Sequence, residues 1–270
     1  MTGKRLVGPI LVGATLLALY SPVFLWLITV WFNSPYYTHG FAVLPISAFI
    51  AWKKRGELVR KKPSWAGSVV FLAGLIVYGT SFILRVYWLS AFSFIITASG
   101  LAIYLYGVRA ARTLMFPICF LIFMVPLPFL GQLGLFMQSI SARGSASLVA
   151  AVGIPVTRTG AEVCLADSAF IIGMPCSGMN TLIALLALAA IFVYIVNGPY
   201  YKRGILLALA FPVAIGANIM RIALLLVIAH FWGTEAAMTF FHGFSSLGLF
   251  LIAFAILAFF SRLLGCRFKV

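Results

Sequence analysis

Charge is what this sequence has least of. Only 9% of its 270 residues are Asp, Glu, Lys or Arg, and acids are nearly missing, with four against nineteen basic residues and a formal charge of +15. A water-exposed domain carries about a quarter of its residues charged. Here 64% are apolar, in runs of about 20 with few charges, which is the pattern of a polytopic α-helical membrane protein. Cysteine is also scarce. The four that occur lie in separate segments, none in C-x-x-C spacing and none in a His-Cys cluster, which argues against a zinc site. No metal and no cofactor are expected. The N-terminal run after Lys4-Arg5 has no small-x-small cleavage site and is too long for a signal peptide, so it reads as a first span. No internal repeat is apparent, which weighs against a repeat-built secondary transporter.

The basic residues sit between the apolar runs. In a soluble chain they would suggest nucleic acid; here they read as cytoplasmic anchors, and no nucleic-acid partner is expected. Eight spans are expected: about 6–31, 41–52, 66–84, 88–106, 114–130, 177–196, 204–229 and 243–260. The second is short, so 36–40 are expected to extend it at interfacial depth. With the N-terminus inside, fifteen of the basic residues fall inside, including the run Lys53 to Lys62. Only Arg85, Arg143, Arg158 and Arg221 do not, and Glu162, Asp167 and Glu235 fall outside. Both termini are then cytoplasmic.

Residues 131–175 break the rhythm. Gly131 to Val152 is rich in Ser, Ala and Gly, with Gln138 and Arg143 interspersed, and predicts a helix lying at the interface. Short β-type runs follow at Val156-Thr157-Arg158, at Glu162 to Leu165 and at Phe170 to Ile172. Turn signals at Thr159-Gly160 and 166–168 separate them, so a small β-meander is expected. It leads into Gly173-Met174-Pro175-Cys176-Ser177-Gly178-Met179-Asn180, where a Gly-rich connection gives way to an apolar helix. A cysteine at a helix N-terminus is favoured as thiolate by the dipole and the unpaired N–H groups. Read alone, Cys176 is more simply a small apolar residue beside an N-cap serine, Ser177.

Two residues downstream change that balance. Arg221 lies about 26 Å along its span from Gly204, near the outer edge of a roughly 30 Å core. His242 opens the last span on the same side. An intramembrane arginine is a functional-site hypothesis by default, the plain alternative being snorkelling to the headgroups. Asn218 stands one turn before Arg221, and Asn180 one turn after Cys176. Cys176 as thiolate would attack a peptide carbonyl, His242 would serve as general acid/base, and Arg221 would stabilise the oxyanion. His230 and His39 are rival histidines at similar depth. Cys164, also expected outside, could oxidise with Cys176 but reads more simply as a buried strand residue. Two other readings stay open: a transporter or permease in which Arg221 binds an anionic substrate, and a noncatalytic scaffold.

The Pro175-Cys176-Ser177-Gly178-Met179 box, Asn218-Ile219-Met220-Arg221-Ile222 and Phe241-His242-Gly243 resemble the three signature blocks of the exosortase/archaeosortase family. Thr38-His39-Gly40-Phe41 and Gly153-Ile154-Pro155-Val156 are similar to it as well. Met179-Asn180-Thr181 departs from the Leu/Ile-Arg-Ser that often follows the Cys-Ser-Gly box. The resemblance implies one integral-membrane domain over 1–270, a multi-pass cysteine transpeptidase or protease of the cell membrane with its active site at the outer face. It implies Cys176 as nucleophile, His242 as acid/base and Arg221 as stabiliser; from their positions in the sequence, Ser177, Gly178, Asn180 and Asn218 are expected in support. The implied substrates are exported proteins with a C-terminal signal (a short motif such as PEP, a transmembrane helix and a basic tail). A membrane lipid is one acceptor the resemblance allows.

The topology is open to test. A reporter fused after Lys62 or after Lys202 is expected to read as cytoplasmic, and an extracytoplasmic reading at either site overturns the eight-span order.

Overall fold

The computed structural model describes residues 4–34, 36–58, 64–166, 168–173, 177–242 and 245–268. Three helical stretches in it are long and apolar enough to cross a bilayer: Trp65–Ile83, Tyr87–Arg109 and Tyr200–Thr239. A fourth is added if the bent pair Val12–Leu19 and Ser21–Asn33 makes one span, and shorter apolar helices cover Ala111–Met124, Met179–Ile195 and Phe250–Leu263. The core is mostly apolar, but the surface is not that of a water-soluble protein. Ser81, Ser90, Ser93 and Thr97 are buried, while Leu25, Phe32, Ile76 and Ile83 face outward. Lipid contact asks for such a surface, because apolar side chains there need no cover while polar ones must pair inside. The chain divides into two compact units, Met1–Leu127 and Pro128–Val270.

The first unit comprises α1 (Lys4–Leu19), α2 (Ser21–Asn33), α3 (Gly40–Lys53), α4 (Trp65–Ile83) and α5 (Tyr87–Phe120). The apolar run expected to be one first span contains two helices bent by 59°. Pro22, in the first turn of α2, has no N–H for the carbonyl of Ala18, and the Ser21 hydroxyl donates to that carbonyl at 2.8 Å instead. Residues 36–39 form a turn rather than an extension of α3, with Gly40 N–H donating to Tyr37 O at 2.8 Å. The two central spans are joined in one helix broken at Gly107, whose φ of 78° and ψ of 164° only glycine adopts readily. Beyond Pro117 the helix tightens into a 3-10 turn, Leu121–Met124. Carbonyls loosened there are met by side chains: Ser47 Oγ donates to Pro117 O at 2.6 Å and Trp31 Nε1 to Met124 O at 3.0 Å.

The α4–α5 pair is held by glycines. A Cβ on Gly67 would fall inside the backbone of Tyr104, one on Gly74 would strike Thr97, and one on Gly100 would strike Phe71. Helices without a hydrophobic drive toward each other associate through such close backbone approach.

The second unit holds α6 (Leu130–Ala151), a meander of β1 (Thr157–Thr159), β2 (Glu162–Cys164) and β3 (Ala169–Ile171), then α7 (Met179–Ile195), α8 (Tyr200–His242) and α9 (Ser245–Leu263). The sheet order is β1-β2-β3, antiparallel, with Arg158 opposite Val163 and Val163 opposite Phe170. Val163 turns its side chain into a core with Ala142 and Val149 of α6 and Ile222 and Leu226 of α8. The sheet is thereby fixed to both helices. The connection expected over His230 to His242 is helical: α8 runs 43 residues, interrupted only at Gly233 with φ 85° and ψ 169°. At the far end, β4 (Val196–Asn197) pairs with β5 (Arg267–Phe268), an association the sequence pattern did not signal. Lys202 Nζ donates to Leu264 O at 2.8 Å and Arg203 Nε to Val193 O at 2.9 Å, so these cations satisfy carbonyls where α9 and α7 end.

Two glycines of α4 separate packing from propensity. Gly74→Ala is expected to cost roughly 1–3 kcal/mol through overpacking. Gly79→Ala, where the added methyl meets nothing within 4 Å, is expected to gain about 0.5–1 kcal/mol of helix propensity. Thermal unfolding of the purified protein compares the two.

Candidate functional site

Residues 174–176, and with them Cys176, lie outside the described residues. Ser177 is buried, and α7 starts two residues later, at Met179. Ser177 is not the N-cap itself: that position is Gly178, with φ 83° and ψ 3° in the left-handed region. The Ser177 hydroxyl instead accepts from Met179 N–H at 3.3 Å, satisfying one of the donors a helix start leaves over. The first helical bond, Leu182 N–H to Gly178 O, is 2.8 Å.

Gly178 is fixed by what lies against it. A Cβ there would come within 2.5 Å of Asn218 Cγ and 2.8 Å of its Nδ2. The amide of Asn218, only 2% exposed, therefore lies directly on the backbone at the start of α7. Its Nδ2 donates to Ser141 Oγ at 2.8 Å. Ser141, fully buried on α6, passes its own proton toward Ser177 O at 3.5 Å, a long contact. Three helices thus meet around one polar chain, Asn218 to Ser141 to Ser177. The α6–α8 approach is set by Gly144, where a Cβ would reach Ile219 at 2.7 Å.

Arg221 sits one turn after Asn218 and is 6% exposed. Its side chain is enclosed by the fold rather than lying on the fold's surface. A buried cation is costly, so its neighbourhood must supply compensating polar contact. Its planar fork of donors suits a developing oxyanion.

The remaining candidates separate. Asn180 is exposed on α7 and takes no part in the Asn218–Ser141 chain. His242 closes α8, and its side chain lies outside the described part. His230 is exposed, its ring edge-on to Phe231 at 4.9 Å between centroids. His39 belongs to the first unit, where Nε2–H donates to Phe123 O at 2.9 Å. Burial pulls its pKa below the ordinary value, and the carbonyls of Phe123 and Tyr36 oppose the shift. Cys164 is a half-buried residue of β2, paired between Thr157 and Ala169. Among the described residues no group of three or more His, Cys, Asp or Glu could hold a metal.

Two participants escaped the sequence reading. Ser141 is one; the other is Gln138, whose Nε2 donates to the carbonyl of Ile172 at the end of the meander. A signal existed, since Gln138, Ser141 and Ser145 recur at helical spacing on α6 and mark a polar face.

An integral-membrane helical chain with a buried Asn-Arg pair on one helix, tied to the start of another just after a cysteine, defines the class. The profile of the transmembrane exosortase family matches residues 31–259, most of the chain. The protein belongs to that family. No match is found among curated proteins or among solved structures.

Gly178 tests the contact. Gly178→Ala combines left-handed strain, roughly 1–2 kcal/mol, with collision against Asn218. Gly153→Ala carries the same strain, since φ is 85° there, but opens onto empty space. Gly178→Ala is expected to lower the unfolding temperature clearly more, and equal shifts would mean that the Asn218 contact contributes nothing.

Proposed function

We propose that the protein is a membrane-embedded cysteine transpeptidase or endopeptidase acting on exported proteins that end in a short motif, a transmembrane helix and a basic tail. The chain crosses the membrane eight times with both termini in the cytoplasm, and the reaction occurs at the outer face of the cell membrane. The observation that carries the reading is the burial of Arg221 one turn from Asn218, whose amide lies against Gly178, two residues after Cys176. Family membership supports the same assignment.

In this mechanism the Cys176 thiolate attacks the scissile carbonyl carbon. A C–S bond forms while the carbonyl π pair moves to oxygen, where Arg221 donates hydrogen bonds to the anion. Collapse restores C=O and breaks the C–N bond, and protonated His242 gives its proton to the departing amine. A thioester remains on Cys176. An incoming nucleophile (water, an amine or a lipid group) loses a proton to His242, attacks the thioester and releases the thiolate. Ser177, Gly178 and Asn218 hold the frame; Asn180, exposed, has a peripheral role.

Arg221→Lys separates oxyanion donor from plain cation. Lysine keeps the charge and loses the rigid fork, and removal of one oxyanion donor costs on the order of 10²–10³ in rate. Arg221→Lys and His242→Ala are expected to accumulate to normal levels and process a cognate substrate very poorly. Cys176→Ala should leave the substrate with its C-terminal helix and tail, while His230→Ala and His39→Ala should retain more activity. The measurement is the ratio of precursor to processed substrate at matched enzyme abundance. Near wild-type processing by Arg221→Lys ends the oxyanion role, and full processing by Cys176→Ala ends the nucleophile assignment.

A further inference from the structure

We infer that Gln138 and Ser141 of α6 are positioning residues for Cys176, holding both ends of the segment that carries it. The inference rests on the reading of Cys176 as nucleophile. Upstream, Gln138 Nε2 donates to the carbonyl of Ile172, which is the last residue tied into the meander, its own N–H donating to Ala161 O at 3.0 Å. Downstream, Ser141 stands between Asn218 Nδ2 at 2.8 Å and the carbonyl of Ser177 at 3.5 Å. Ser177 is bonded directly to Cys176. The two α6 residues are three apart, so they project from neighbouring positions on one helix face.

The anchorage behind them is rigid. Gly144 seats α6 on Ile219, and Ala142 and Val149 share a core with Val163 of the sheet and Ile222 and Leu226 of α8. A helix fixed to both the sheet and α8 can set the positions of Ile172 and Ser177, described residues on either side of Cys176. Ser141 already serves as acceptor for the buried Asn218 amide, and Gln138 is half-buried. Their geometry adds a second role. Each meets a main-chain carbonyl at the border of the cysteine segment, and displacement of a reacting group by about 1 Å costs on the order of 10²-fold in rate.

The test uses the full-length chain in membranes with a cognate substrate. Gln138→Ala and Ser141→Ala are each compared with Ser145→Ala, a buried serine on the same helix whose hydroxyl, among the described residues, donates within its own helix, to Ala142 O at 3.2 Å. Two quantities are read: kcat and KM for processing, and the pH dependence of alkylation at Cys176 resolved by peptide mass spectrometry. Gln138→Ala and Ser141→Ala are expected to lose at least about tenfold in kcat with KM little changed, within the range that misplacement causes. Their alkylation midpoints should move up toward the ordinary thiol value of about 8.5. The double variant should lose little more than the worse single one, and Ser145→Ala should match wild type in both readouts. Unchanged kcat and midpoint in both single variants overturn the inference. So does loss of abundance with unchanged rate per folded molecule, which would make the pair structural only. If Ser141→Ala does not accumulate, Gln138→Ala decides alone. Processing by Cys176→Ala would instead sink the nucleophile assignment, and the alkylation profiles would still judge the clamp.

Discussion

The contact between the Asn218 amide and the Cα of Gly178 is the constraint on which the rest of the second unit's polar interior depends. No side chain fits at 178, and the backbone there is left-handed, so two independent demands select glycine. Pressed against that position, the amide has its reach defined, and Ser141 completes the geometry from α6. A buried amide whose hydrogens found no acceptor would cost more than the bond itself contributes, which ties three helices to one arrangement.

The same logic recurs at two departures from regular helix. The bend at Tyr20 and the 3-10 turn after Phe120 release carbonyl groups from the i to i−4 ladder. In water those groups would be solvated. Here Ser21, Ser47, His39 and Trp31 answer them from neighbouring positions. Small polar residues inside and large apolar ones outside are two aspects of one adaptation. Close glycine contacts between α4 and α5 then supply the association that a hydrophobic effect cannot provide in lipid.

Arg221 gives the polar interior its chemical meaning. A cation enclosed by the fold is expensive to keep, and Arg221 is only 6% exposed. Its position one turn from Asn218 couples it to the start of α7 through a single rigid helix. The histidines do not share this setting alike: His39 serves a carbonyl in the other unit, and His230 lies exposed.

Helical membrane class was legible from the sequence because runs of apolar residues and sparse charge are one-dimensional properties. The helix over 131–152 and the strands near 157, 163 and 170 were legible too, since turn residues and β-branched runs act locally. Gly178 and Asn218 could be singled out by residue type, although not the fact that they touch. Tertiary packing alone settled features of another kind: the helix through His230 to His242 with its break at Gly233, the β4–β5 pairing, and the bonds of Gln138 to Ile172 and of Asn218 to Ser141. Each depends on which faces meet across tens or hundreds of residues. A serine among serines on one helix carries no mark of its partner, because a hydrogen bond between helices is a property of their packing and not of either sequence.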